Sequence, residues 1–269
     1  MKILHSLAYS IVLAVLGFCG LAKPQPSSAQ EPQGNVTDPM KVAAGMANLT
    51  RDWLSGKLST AGTSVDIHEV SRSNDGGDLR VRYNFFVKGA PKDQTYTLMS
   101  WPINAAKPLE QMRGLTISAT GLVVCAGRTP EQCGDSQKLD DPVDFTFVPG
   151  RGEIFRMALV SADGDAKVFF AIVPDPIIKT NGGCSLEVVR LMPRFELVLI
   201  RAKGYQPKED LLFASKSYDE SHEGQVKADT DGTYVSAILP FVKGKPSGRT
   251  TVKLKGGGCA PEISFEWGK

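Results

Sequence analysis

The chain has 269 residues, of which 42% are hydrophobic and 22% are charged. This is enough sequence for one large or two small globular domains with packed cores. The 31 basic residues nearly balance the 29 acidic residues, and the formal net charge is +2. A nearly neutral chain lacks the attraction to phosphate on which nucleic-acid binding depends, so we expect no nucleic-acid partner.

The first residues have the organisation of a secretory signal. Lys2 precedes an apolar stretch over residues 7–22, and Ser27 and Ala29 place small side chains at positions −3 and −1 of a cleavage point. We therefore predict a signal peptide over residues 1–29. The mature protein is then secreted or periplasmic, with no membrane span after cleavage.

Two other interpretations of this segment stay open. It could remain as an uncleaved membrane anchor, because an apolar stretch of about 16 residues is near the shortest that spans a bilayer. It could also carry lipid at Cys19. Removal of the segment takes away Lys2 and Lys23 but no acidic residue, which leaves 29 residues of each sign and no net charge.

Four cysteines remain after cleavage, namely Cys125, Cys133, Cys184 and Cys259. An even number in an exported chain indicates two disulfides. Three pairings are possible, and proximity favours Cys125 with Cys133 and Cys184 with Cys259. A structural zinc site needs close cysteine pairs with histidines nearby, and the sequence has neither, so we predict no bound metal.

Residues 30–63 are predicted to contain a polar leader and one amphipathic helix. Asp38 and Pro39 are a typical helix start, and Gly56 is a typical end. Between them apolar residues recur at helical spacing up to Trp53. We expect this helix to pack against the first domain.

From about residue 64 the apolar residues recur at every second position, which is typical of half-buried strands. The clearest case is residues 79–87. Comparable runs occupy residues 96–101, 115–125, 143–147, 155–160, 168–173, 186–191, 195–200, 211–215, 234–239, 250–254 and 263–267. Turn-forming residues separate nearly all of them, and no long helical pattern intervenes. We therefore predict an all-β fold of two tandem antiparallel sandwiches, over residues 64–176 and 184–269.

Two short patterns recur in both predicted sandwiches. Residues 86–93 are similar to residues 201–209, and residues 162–174 are similar to residues 228–240. The two patterns lie further apart in the first sandwich. This predicts an insertion around residues 102–150.

Residues 203–209 (KGYQPKE), followed by residues 228–234 (ADTDGTY), resemble bacterial immunoglobulin-like modules of exported proteins. In such modules a Gly-aromatic-x-Pro-x-Glu turn precedes one strand and an Asp-x-Asp-Gly turn precedes another. The resemblance lies mainly in residues 184–269. It implies tandem immunoglobulin-like sandwiches used for adhesion, binding or spacing, and it carries over no functional residue.

Few side chains suggest metal chemistry or nucleophilic catalysis. His68 is expected at the surface of a strand, and His222 is expected in a solvated loop. Asp229 and Asp231 supply part of a calcium loop, but its first and last ligands are absent, so a hairpin turn is the preferred interpretation. We predict no catalytic, cofactor-binding or metal-binding residue.

The acidic residues leave an enzymatic alternative open. Asp140, Asp141 and Asp144, or Glu153, could supply the paired carboxylates of a secreted polysaccharide hydrolase. Trp101 and Tyr205 are aromatic residues that could stack on a sugar, or could lie at sandwich edges and turns.

The preferred hypothesis is an exported, non-catalytic binding or envelope structural protein with no cofactor. Its partner would be an unidentified protein or glycan in the envelope or the extracellular space. The insertion in the first sandwich is the expected binding surface, because loops on a rigid β scaffold usually carry function. A periplasmic assembly factor with an exposed edge strand is a third hypothesis.

Overall fold

The computed structural model describes residues 39–102, 107–125 and 142–268. Several predictions fall on residues outside these ranges. They are the signal peptide over residues 1–29, lipid attachment at Cys19, and the roles suggested for Cys133, Asp140 and Asp141. The described residues belong to one compact unit, Asp38–Lys269. None of the helices in this part of the chain has the length and apolarity needed to cross a membrane.

Apart from one helix, α1 (Pro39–Leu54), the regular secondary structure of the described residues consists of β-strands. The first half contains β1 (Ser64–Asp75), β2 (Asp78–Lys88), β3 (Tyr96–Ser100), β4 (Leu109–Ile117), β5 (Val123–Cys125), β6 (Phe145–Phe147), β7 (Phe155–Ser161) and β8 (Lys167–Ile172). The second half contains β9 (Ile177–Asn181), β10 (Cys184–Arg190), β11 (Val198–Lys203), β12 (Asp210–Ser217), β13 (Glu220–Lys227), β14 (Tyr234–Ile238), β15 (Gly248–Lys255) and β16 (Glu262–Trp267). The ladders between these strands are antiparallel, so the prediction of an all-β fold is confirmed.

The two halves have the same strand order. The first half has sheets β1-β2-β6 and β5-β4-β3-β7-β8, and the second has sheets β14-β11-β10-β9 and β13-β12-β15-β16. When β5 and β9 are set aside, β1–β4 and β6–β8 correspond in chain order to β10–β16. In each half two pairs join strands that are distant in sequence, β2 with β6 and β3 with β7, or β11 with β14 and β12 with β15. Such long connections are typical of Greek-key folds.

This order supports one of the two predicted repeats and contradicts the other. The turns at Gly89 and Gly204 follow the equivalent strands β2 and β11. At each, a Cβ would lie within 2.1 or 2.5 Å of a backbone oxygen, so only glycine fits. The Asp163 turn precedes β8, whereas the Asp231 turn precedes β14, whose counterpart is β6. Asp-Gly turns form wherever a chain reverses, so their composition does not identify equivalent positions.

The first core lies between the two sheets of the first half. In β2 the buried positions alternate with more exposed ones, as the sequence predicts. Phe85 is fully buried, stacks on Phe145 of its own sheet at 4.4 Å between ring centroids, and contacts Phe170 of the other sheet at 4.8 Å. Aromatic contacts therefore join the two sheets.

The second core is closed by a disulfide. Cys184 at the start of β10 is bonded to Cys259, which precedes β16 in the other sheet, with 6.0 Å between the Cα atoms. This is the pairing that proximity predicts. Cys125 is also disulfide-bonded; its predicted partner, Cys133, lies outside the described residues.

A third apolar cluster joins the halves. The sheet of β9, β10, β11 and β14 is buried on both faces at its centre, since Val188 faces the second core and Val189 faces the third cluster. Residues 197–200 of this sheet are all buried. Met46 and Leu54 of α1 pack against its outer face, together with Ala171 of β8.

Helix α1 also packs on the first half through Trp53, which is 2% exposed. The indole Nε1 donates a hydrogen bond to the backbone oxygen of Met157 at 2.8 Å. The ring contacts Phe169 edge-on at 4.9 Å. The predicted helix is therefore confirmed, but it contacts both halves and not only the first.

We expect Trp53→Ala to lower the free energy of unfolding by about 3–5 kcal/mol, because it leaves a cavity between the halves. Trp53→Phe keeps most of the ring volume but loses the hydrogen bond, and should lower it by about 1–2 kcal/mol. Urea denaturation followed by circular dichroism measures both. Leu58→Ala, at a residue that is 36% exposed, is the control and should change little. A small effect of Trp53→Ala would contradict this role of the helix.

A second prediction concerns Tyr205, which is buried and donates a hydrogen bond to the backbone oxygen of Leu254 at 2.9 Å. Burial, with a smaller contribution from the Glu209 carboxylate, raises the pKa of Tyr205 from 10.0 to about 12. The folded state thus favours the neutral phenol. This contribution to stability is complete below pH 10 and is lost as the pH rises through 12.

The wild type should lose about 3 kcal/mol of stability through Tyr205 between pH 10 and pH 12. Tyr205→Phe should be about 1 kcal/mol less stable at pH 7 and should lack this part of the alkaline loss. Denaturant titrations from pH 8 to 12 provide the comparison. Tyr218→Phe, at a residue that is 46% exposed, should retain the wild-type decline. Identical pH profiles for Tyr205→Phe and the wild type would refute the prediction.

Candidate functional site

The candidate site is a pocket of about 450 Å³ at the junction of the two halves. Its lining comes from the ends of β3 and β6, from β7 and the residues before it, and from the end of β10 in the second half. The lining includes Trp101, Thr146, Phe147, Glu153, Phe155, Arg156 and Arg190. Several lie within or beside the predicted insertion around residues 102–150.

Arg156 is the unusual member of this lining, because it is a buried cation with no carboxylate partner among the described residues. It lies on β7 between the inward-facing Met157 and the half-buried Phe155, and it is 4% exposed. Its guanidinium carbon is 5.8 Å from the ring centroid of Trp53 and 5.9 Å from that of Trp101. Its Nε has no hydrogen-bond partner. Within the described residues its guanidinium makes no ion pair.

Contact with the two tryptophan rings does not offset the full free-energy cost of burying this charge. Burial lowers the pKa of Arg156, but arginine starts so far above neutrality that it stays charged. Removing such an ion from water costs several kcal/mol. A cation–π contact returns about 1–2 kcal/mol. The pocket therefore contains a positive charge for which an anion would be a favourable partner.

The other charges of the lining neutralise each other. Arg190 of β10 lies 3.2 Å from the Glu153 carboxylate, and Glu153 also accepts a hydrogen bond from the backbone N–H of Gly150 at 2.8 Å. Glu153 and Arg190 are further joined by a backbone bridge. This ion pair connects the two halves, and it leaves Arg156 as the uncompensated charge in the described lining.

The structure does not bring together the two predicted acidic residues that it describes, Asp144 and Glu153. Asp144 lies on the outer side of the first half, where it contacts Arg82 and accepts a hydrogen bond from Asn84 at 2.6 Å. Glu153 does line the pocket, but it is paired with Arg190. Among the described residues, no second carboxylate accompanies it there.

The Asp229–Asp231 segment forms a tight turn, but not a hairpin. Asp231 accepts hydrogen bonds from the backbone N–H and the hydroxyl of Thr233, at 3.0 and 2.6 Å, which lowers its pKa. The turn joins β13 to β14, and these strands belong to different sheets. In the described parts of the chain, no group of three or more Asp, Glu, His or Cys residues could hold a metal.

The two histidines that the structure describes, His68 and His222, are not part of the lining of the junction pocket. His68 is exposed on β1, as predicted, and its ring is 4.6 Å from that of Phe86. His222 was expected in a loop, but it lies in β13, opposite Ser215 of β12. This strand was missed because it has no alternating apolar pattern; backbone pairing holds it in place. His222 lines a smaller pocket of about 330 Å³.

The two aromatic residues considered for sugar stacking have different environments. Tyr205 is 6% exposed and belongs to the second core, so it offers no surface for stacking. Trp101 is half-buried, lines the junction pocket and contacts Trp53 at 5.5 Å between ring centroids. Of the two, Trp101 is therefore the one placed to contact a ligand.

We expect Arg156→Met to raise the free energy of unfolding by about 1–3 kcal/mol, since it replaces an unpaired buried charge with an apolar side chain. Arg190→Met is the matched comparison. It breaks the pair with Glu153 and should lower the stability by about 1 kcal/mol. Chemical denaturation at pH 7 measures both changes. Destabilisation by Arg156→Met would show that Arg156 contributes to stability and is not an uncompensated charge.

Comparison with known proteins assigns no family to this chain. No protein-family model matches it, and no curated protein matches it. The junction pocket is therefore interpreted from its own contacts and charges.

Proposed function

We propose that the protein is an exported, non-catalytic binding protein, built from two immunoglobulin-like modules, that holds its ligand in the junction pocket. The observation that carries this proposal is Arg156, which is 4% exposed, lines a pocket and has no anionic partner in the described chain. A buried polar group without a partner destabilises the fold, so its presence in a pocket favours a binding role.

The repeated strand order supports the modular part of the proposal. In immunoglobulin lettering, A, B, C, C′, E, F and G correspond to β1, β2, β3, β4, β6, β7 and β8 in the first half and to β10–β16, in the same order, in the second. Apart from β5 and β9, each half then pairs its strands as A-B-E and C′-C-F-G, which is compatible with immunoglobulin-like sandwiches that lack strand D. The disulfide differs from that of antibody domains. Cys184 lies on the strand equivalent to A and Cys259 lies before G, whereas antibody domains join B to F.

Two observations support export. The disulfide between Cys184 and Cys259 is of a kind that persists in oxidising compartments. The sequence pattern of residues 1–29 is that of a secretory signal. We propose a secreted or periplasmic location on these grounds.

The described carboxylates favour binding over hydrolysis. A glycosidase needs two carboxylates at one cleft, one of them as a general acid. Here Glu153 pairs with Arg190, and Asp144 pairs with Arg82 outside the pocket. The hydrolase alternative therefore has no described pair of acids to act.

The test is a thermal-shift panel of carboxylates, phosphates, neutral sugars and neutral aromatic compounds. Thr146→Trp places a large side chain at an exposed position of the pocket lining, and Ser264→Trp places the same side chain on an exposed position of β16. We expect at least one class to raise the Tm of the wild type and of Ser264→Trp, but not that of Thr146→Trp. A panel that stabilises all three proteins equally, or none, would exclude the junction pocket as the binding site.

A further inference from the structure

We infer that the junction pocket takes a monocarboxylate with a flat, apolar body, whose carboxylate pairs with Arg156. This inference rests on the proposed function, because it names the chemical class of ligand for the same pocket.

The charge of the lining favours a single negative charge. Glu153 and Arg190 neutralise each other at 3.2 Å, so Arg156 leaves one uncompensated positive charge among the described lining residues. A monoanion would neutralise it. A dianion would bring a second negative charge into a partly buried site, where no described cation is left to pair with it.

The geometry of the donor favours a carboxylate over a phosphate. A guanidinium presents a planar fork of N–H groups that matches the two oxygens of a carboxylate. Phosphate sites usually add several backbone N–H groups from a helix N-terminus or a glycine-rich nest. No residue of α1 belongs to the described lining of the pocket. The backbone N–H groups of this helix are therefore not directed into the pocket.

The remaining surface favours a flat apolar body. The ring centroid of Trp101 is 5.9 Å from the guanidinium carbon of Arg156, and the half-buried Phe155 lines the same pocket. The volume of about 450 Å³ is that of a small-molecule site. A ring attached to a carboxylate would thus place its charge at Arg156 and its flat surface against these aromatic side chains.

Isothermal titration calorimetry with three probes tests the inference. The probes are 3-phenylpropanoate, its neutral isostere 3-phenylpropanamide, and phenyl phosphate. The proteins are the wild type, Arg156→Met, Arg156→Lys, Thr146→Trp and the control Arg82→Met, which removes an arginine outside the pocket. All three probes contain a phenyl ring, so differences in affinity report on the polar group attached to it.

We expect the wild type and Arg82→Met to bind 3-phenylpropanoate about tenfold or more tightly than the other two probes. Arg156→Met should bind the acid and the amide equally. Arg156→Lys should bind the acid several-fold more weakly than the wild type but still prefer it to the amide, because the charge remains without the planar fork.

Three outcomes would overturn the inference. The first is equal binding of acid and amide by the wild type; if Thr146→Trp abolishes both, the pocket is still a binding site and only the carboxylate is wrong. The second is tighter binding of phenyl phosphate. The third is a preference for the acid that persists in Arg156→Met. Undiminished binding of the acid by Thr146→Trp would instead contradict the proposed function itself.

Discussion

The packing of helix α1 against the sheet of β9, β10, β11 and β14 is the contact on which the arrangement of the molecule depends. This sheet is apolar on both faces, and residues 197–200 are buried throughout. One face closes the core of the second half. The other would expose Val189 and Leu199 to water if α1 and the edge of the first half did not cover it. Covering both faces of one sheet therefore joins the two halves into a single compact unit.

The same contact creates the environment of Arg156. On the outer face of β7, alternation alone would leave this side chain in water. Trp53, which is 103 positions earlier in the chain, covers that face and hydrogen-bonds to the backbone of Met157. The helix that covers the second half thus also encloses the cation of the first half.

The sequence predicts the elements whose signal is local. Period-two alternation identifies β2, and the Asp38-Pro39 start identifies α1, because one buried face or one end determines each pattern. The predicted run over residues 115–125 is split into β4 and β5 by a turn at Gly121, a glycine with positive φ. Strand β13 is polar on both faces and is held by pairing with β12, so its composition gives no signal.

The site was harder to predict from the sequence than the fold, because Arg156 is buried by residues that are distant from it in the chain. The run over residues 155–160 is apolar on both sides of Arg156, and this is a usable signal: a strand with two apolar faces must be covered on both. The sequence does not say what covers the outer face. The sequence also indicates Glu153 as a candidate acid, but only the fold shows that Arg190 neutralises it.

The position of the pocket gives the buried charge a consequence for the whole molecule. Arg156 belongs to the first half and Arg190 to the second, and both line one pocket. An anion that neutralised Arg156 would remove a destabilising interaction from the surface that joins the halves. Ligand binding and the packing of the halves are then linked, since any ligand that prefers the joined arrangement must stabilise it. A protein selected only for stability would gain by replacing this arginine, whereas a binding protein has a physical reason to keep it.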